Sequence, residues 1–191
     1  MKAFERLREI ALSPWQAPGT AAFAAASAGL VLLLVVVARS SDGWVPVLDS
    51  ANLVFHEAGH PLFGLLGELP QVLGGTLMQL LVPTLALFAF WRQRQATSTF
   101  AAGVWFFENW LNVARYMADA RAQVLPLVGG GEHDWTELLT RVGLLRFDTR
   151  LAGVLRVGAC LGMLALWLWL AWLWRRRGPL PASGARPRPR R

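Results

Sequence analysis

His56, Glu57 and His60 stand in the sequence His-Glu-Ala-Gly-His, inside an otherwise apolar stretch. On a helix, residues four apart share a face, so both imidazoles can reach one metal ion. Glu57 lies beside them, placed to act on a water at that metal. The pattern is the H-E-x-x-H of zinc peptidases, in which two histidines ligate and the glutamate is the general base. The flanks, Asn52-Leu53-Val54-Phe55 before and Pro61-Leu62-Phe63-Gly64 after, are too apolar for a solvated His-Glu-His face. Ionisable side chains in such a segment cost roughly 2.5–3.5 kcal/mol per charge at mid-bilayer on insertion scales, so they mark a site.

A catalytic zinc site normally has three protein ligands and one open position. The motif supplies two. A second constellation, in residues 107–119, offers the third. At about 100° per residue, Glu108, Asn112, Arg115 and Asp119 fall within a sector of roughly 60°. Lipid would not tolerate that stripe, so it faces a bundle interior. Ion pairs Glu108–Arg115 or Arg115–Asp119 are expected along it. Asp119 is the first choice for third ligand, with Asn112 on the same face to orient it by a hydrogen bond. Asp134 and His133 are the alternatives, because they follow Gly129-Gly130-Gly131 in a segment able to fold back. Glu108 and Glu68 come after them. Arg115 is placed to stabilise an oxyanion.

The elements that carry these residues follow from hydropathy. The chain has 191 residues, is 54% hydrophobic and only 16% charged, and holds ten Trp and ten Phe. That excludes an ordinary soluble domain. Its net charge of +7 sits at the edges of apolar runs, as juxtamembrane anchors do, and no stacking platform or recognition helix accompanies it. Nucleic acid is therefore not an expected partner; membrane lipid is. The lone Cys160 reads as a small buried hydrophobe. Residues 1–19 form a basic amphipathic lead-in, with Phe4, Leu7, Ile10 and Leu12 on the membrane surface. Residues 20–177 form one membrane-embedded domain, and residues 178–191 a disordered basic tail. Apolar segments are predicted at 21–38, 48–66, 74–91, 97–121 and 151–174, with a polar loop at 122–149 and a short amphipathic helix at 135–145. Glu68 and Pro70 are expected to end the second segment. Trp167, Trp169, Trp172 and Trp174 form an aromatic belt above Arg175-Arg176-Arg177.

The fold class is all-α, a polytopic helix bundle. Positive charges set its topology. Four full spans plus a re-entrant or half-depth helix bearing His56 put Arg92, Arg94 and the Arg-rich tail on the cytoplasmic side with the N-terminus. Five spans put both clusters outside, against the positive-inside tendency.

A His-Glu-x-x-His on an apolar helix of a small multi-span protein resembles the intramembrane zinc peptidases of the site-2 protease class, and more closely their compact bacterial relatives. The resemblance covers residues 52–79 and, more loosely, 112–135. It implies zinc held by His56 and His60, Glu57 as general base, hydrolysis of a peptide or membrane-protein segment in or near the membrane, and a place in a bacterial inner membrane. In that class the third ligand is the Asp of an Asn-Pro-Asp-Gly motif. No such motif occurs here, and Asp119 is taken as its equivalent. The rival readings are a non-catalytic metal-binding scaffold, which needs no Glu57, and a metal transporter, which calls for inverted repeats that the sequence lacks. A serine intramembrane protease is disfavoured by the absence of Gly-x-Ser-Gly.

Overall fold

The computed structural model describes residues 2–128 and 132–177. The Gly129-Gly130-Gly131 run and the basic tail lie outside the described residues. The described chain is helical: α1 (Lys2–Leu12), α2 (Thr20–Arg39), α3 (Leu48–Gly64), α4 (Glu68–Arg92), α5 (Ala96–Ala118), α6 (Asp134–Arg141), a 3-10 turn (Leu145–Phe147) and α7 (Asp148–Arg176). Among the described residues, three stretches are long and apolar enough to cross a membrane, Thr20–Arg39, Glu68–Arg92 and Leu145–Arg176. Their outer faces stay apolar. Leu77, Leu81, Leu85 and Phe88 form one exposed stripe on α4, and Val154, Val157, Leu161, Leu164 and Leu168 another on α7. Stripes of that length at helical spacing suit lipid, not water.

The central helix is α5, packed against α4 and α7. At 23 residues it is about 34 Å long. Its first half buries Ala96, Thr99, Phe100 and Gly103, and a core of Leu30, Phe100, Met163, Leu170 and Leu173 joins α2, α5 and α7. Its second half packs Ala114 and Met117 with Leu139 of α6 and Ala152 of α7.

Side-chain contacts define two ends of the bundle. At one, Arg94 donates to the Ile10 carbonyl (2.6 Å) and lies over Trp15. Trp15 meets Trp169 edge-on, Trp174 stacks on Phe23, and Arg177 reaches Thr20. The start of α2, the turn between α4 and α5 and the end of α7 thus lie together, with their basic and Trp residues. At the other end, Arg115 in the last turn of α5 holds Asp42, Arg121 holds Asp148, and Arg141 of α6 holds Glu68. Asp42 precedes α3 and Glu68 follows it. Both approaches to α3 therefore lie at this second end. Asn52, near the start of α3, reaches inward to Trp105, Glu108 and Asn109, at the middle of α5.

Several expectations are corrected. Glu68 and Pro70 open α4 and do not end α3. The break is Gly67, at φ 118, a backbone conformation open to glycine. Pro70 is then the third residue of the helix, where its missing N–H would have had no intrahelical partner. Helix α5 ends at Ala118, and α6 spans Asp134–Arg141. The expected pairs along α5 do not form. Arg115 turns out of the stripe to Asp42 and Trp44, and Glu108 accepts from Asn52 at 2.8 Å. Each partner comes from the segment leading into α3 or from α3 itself, which packing brings against α5.

Candidate functional site

Helices α3 and α4 form a tight antiparallel hairpin. A Cβ on Gly59 would run into the Gly74 carbonyl, and one on Gly75 would lie 2.6 Å from Nε2 of His56 and 2.8 Å from Nε2 of His60. Glycine at these places lets the α4 backbone pass directly beneath the two imidazoles. Pro61 sits within α3 immediately after His60. It leaves the carbonyl of Glu57 without its usual helical donor.

Each imidazole is oriented from behind. Nδ1 of His60 lies 2.9 Å from the Gln71 carbonyl, which can only accept, so Nδ1 carries the proton. Nδ1 of His56 lies 2.8 Å from Oε1 of Gln79. A chain of amides fixes the direction of that bond. Asp49 accepts from the Val45 N–H and from Nδ2 of Asn112 (2.9 Å). Oδ1 of Asn112 therefore faces Gln79 and takes its Nε2 at 3.4 Å. Oε1 of Gln79 is left for His56, whose Nδ1 must donate. Asp49, Asn52, Gln79, Glu108 and Asn109 are all buried, so this polar layer under the site is shielded from bulk solvent. Both Nε2 atoms present lone pairs on the opposite side.

They present them to Asp134. Its Oδ2 is 3.0 Å from Nε2 of His56 and 3.5 Å from Nε2 of His60. Asp134 is buried, and Oδ2 has no hydrogen-bond partner. Three acceptor atoms thus converge with no donor among them. Electrostatics requires a cation between them, a proton or a metal. The spacing fits a metal, since bonds of about 2.0–2.1 Å at tetrahedral angles set ligand atoms about 3.3 Å apart. His56, His60 and Asp134 are the group that could hold one.

Asp134 arrives there because α6 folds back against α4 and α5. It is the first residue of α6, a place that favours negative charge. Its backbone N–H donates to the Tyr116 hydroxyl at 3.2 Å. Thr136 bonds the Ala120 carbonyl and Leu139 enters the core under α5. Asp119, the expected third ligand, is engaged elsewhere. It lies just past the end of α5, and its two oxygens accept from the N–H groups of Val124 and Leu125, both at 3.0 Å. A carboxylate at that turn is consumed by the turn. His133 is also turned away. Its Nδ1 accepts from the Thr136 N–H, its ring packs on Tyr116 at 4.1 Å, and its Nε2 is 3.6 Å from Asp119. Burial lowers its pKa below the ordinary imidazole value, which suits this neutral form. Asp119 and His133 thus set the loop that delivers Asp134.

Glu57 lines a cavity of about 1120 Å3 together with His56, His60, Asp134, Tyr116 and Arg115. It is half-buried. Arg115 faces the cavity, while its guanidinium is held by Asp42 and Trp44. The hydrogen bond from Arg115 keeps the Asp42 carboxyl down at about 2, so the pair is intact at any pH above the ordinary carboxylate range. The sequence reading passed over Gln79, Gly75 and Tyr116 as parts of the site. A lone amide in an apolar span was the signal for Gln79.

No protein-family model, curated protein or solved structure matches this chain. Its function must be argued from the site alone.

Proposed function

We propose that this chain is a membrane-embedded zinc metallopeptidase that cuts peptide bonds at the membrane edge. The observation that carries the reading is the convergence of two histidine lone pairs and the unpartnered Asp134 oxygen, with Glu57 on the adjoining cavity wall. His56, His60 and Asp134 would hold a zinc ion, which would supply Lewis-acid polarisation of the scissile carbonyl and a water with its pKa lowered to about 7. Glu57 takes the proton of the attacking water and delivers it to the leaving amine. Gln79 and the Gln71 carbonyl keep both imidazoles in the tautomer that offers Nε2. The Tyr116 oxygen accepts from the Asp134 N–H, so its own proton is free to donate into the cavity, where negative charge develops. With Arg115 held by Asp42, Tyr116 is the better-placed donor.

The membrane reading has four crossings, α2, α4, α5 and α7, with α3 re-entrant. It is supported by the two approaches to α3 lying at one end of the bundle and by the Arg and Trp residues gathered at the other. The positive-inside tendency then sets the basic end, with both termini, in the cytoplasm, and the cavity opens on the far side of an inner membrane.

The test is Glu57→Ala. Zinc content should match wild type, while hydrolysis of a peptide substrate should fall at least about 100-fold. Wild-type turnover in that variant would remove the peptidase reading.

A further inference from the structure

The cavity above the three-residue cluster measures about 1120 Å3. Sites for small molecules run to about 1,000 Å3, so this one has room for more. One wall is the apolar segment Val124, Leu125, Pro126, Leu127 and Val128. That size and that apolar wall suit a stretch of extended peptide.

The charge on its walls is one-sided. Asp42, Glu57, Glu68, Glu132, Asp134 and Glu137 line it, with Arg115 the one Lys or Arg among the lining residues. The whole chain carries 12 acidic and 19 basic residues. Half of the acids of a basic protein therefore surround one cavity. Pairing does not cancel them. Arg115 offsets Asp42, Arg141 bridges Glu68 and Glu137 together, and a divalent metal held at the cluster would offset Asp134 and Glu57. The equivalent of about two negative charges remains, and Glu132 stands outside these pairs. Apolar walls of low dielectric focus such a field on whatever enters.

Resting on the peptidase reading, we propose that the site selects cationic peptide, an extended segment with Lys or Arg beside the bond to be cut, where it emerges from the membrane. The experiment uses the full chain, zinc-loaded and carrying Glu57→Gln so that bound peptide survives. The protein sits in nanodiscs of zwitterionic phosphatidylcholine, with empty nanodiscs as control. Three fluorescent peptides share an apolar segment of about 20 residues and differ in a flank of Lys/Arg, Gln/Ser or Glu/Asp. Anisotropy should rank the basic flank about tenfold tighter than the neutral one, and the acidic flank weakest. The advantage should collapse at ~0.5 M salt, where screening acts within a few ångströms. Adding Glu132→Gln and Glu137→Gln should bring the basic peptide to the affinity of the neutral one, with zinc content unchanged. Equal affinity for all three peptides would overturn the charge preference alone, as would a basic preference that survives both salt and the double change. If the double variant loses its zinc, the salt series without it still decides. No binding of any peptide by zinc-loaded protein would remove the peptidase reading, and the preference with it.

Discussion

At the scale of single residues, the site depends on groups that do not themselves belong to the His56, His60 and Asp134 cluster. Gln79 is held by Asn112, and Asn112 by Asp49, so the direction of one His56 proton is settled three side chains away. Removing such a partner from a metal-bound histidine typically costs 10–100-fold in affinity. Gln79→Ala should therefore weaken zinc binding by about tenfold or more while the helices persist, measured by competition with a chelator. Unchanged affinity would mean that the amide chain serves packing alone. The motif residues were legible because their types and spacing are local. The third member of the cluster, a carboxylate, was not. Asp119 and Asp134 are both acids near the end of α5 in sequence, and the choice between them depends on a backward fold of α6. Only the hydrogen bonds of the turn, from Val124 and Leu125 to Asp119, take the first out of contention.

At the scale of elements, the decisive contact is α3 against α4. Gly59 meets Gly74 backbone to backbone, and Gly75 passes under both imidazoles. Gly75→Ala would push a methyl into the space of His56 Nε2 and His60 Nε2. Zinc content should fall at least about tenfold, whereas helical circular dichroism should stay as in wild type, since the clash is local. Retention of full zinc would show that α4 lies farther from the motif. The apolar segments themselves were readable from hydropathy, and the predicted starts and ends of α2 and α5 lie within three residues of those observed. The start of α4 lies earlier than the sequence suggests, because Pro70 there resembles a terminator. In the first turn a proline costs nothing, and Gly67 makes the break. The burial of α3 also differs from that of a simple span. Its Asp49, Asn52 and His56 face α4 and α5, so its polar atoms find protein instead of lipid.

At the scale of the whole molecule, one end is basic and aromatic and the other holds the cavity. With Cys160 first replaced by serine, single cysteines at Gln93 and Arg176 should be labelled from the cytoplasmic side, and one at Glu132 from the other. Gln93, Arg176 and Glu132 are exposed, so the reagent can reach each. Labelling of Glu132 and Arg176 from the same side would rule out the four-crossing arrangement. Composition made three helices long and apolar enough to cross a membrane readable. The proposed re-entrant path of α3 rests in the sequence on charge balance alone, because hydropathy does not report whether a helix returns to the side it entered from.

The most direct test of the account is metal content at fixed free zinc, measured by elemental analysis on purified chains. Wild type should hold about one zinc per chain. His56→Ala and Asp134→Ala should hold little, because each removes one of three converging atoms. Asp119→Ala should hold nearly as much as wild type when the Asp134 loop stays folded, since Asp119 bonds the turn and not the cluster. A wild-type chain without zinc, or a set in which Asp119→Ala loses the metal and Asp134→Ala keeps it, would contradict the account.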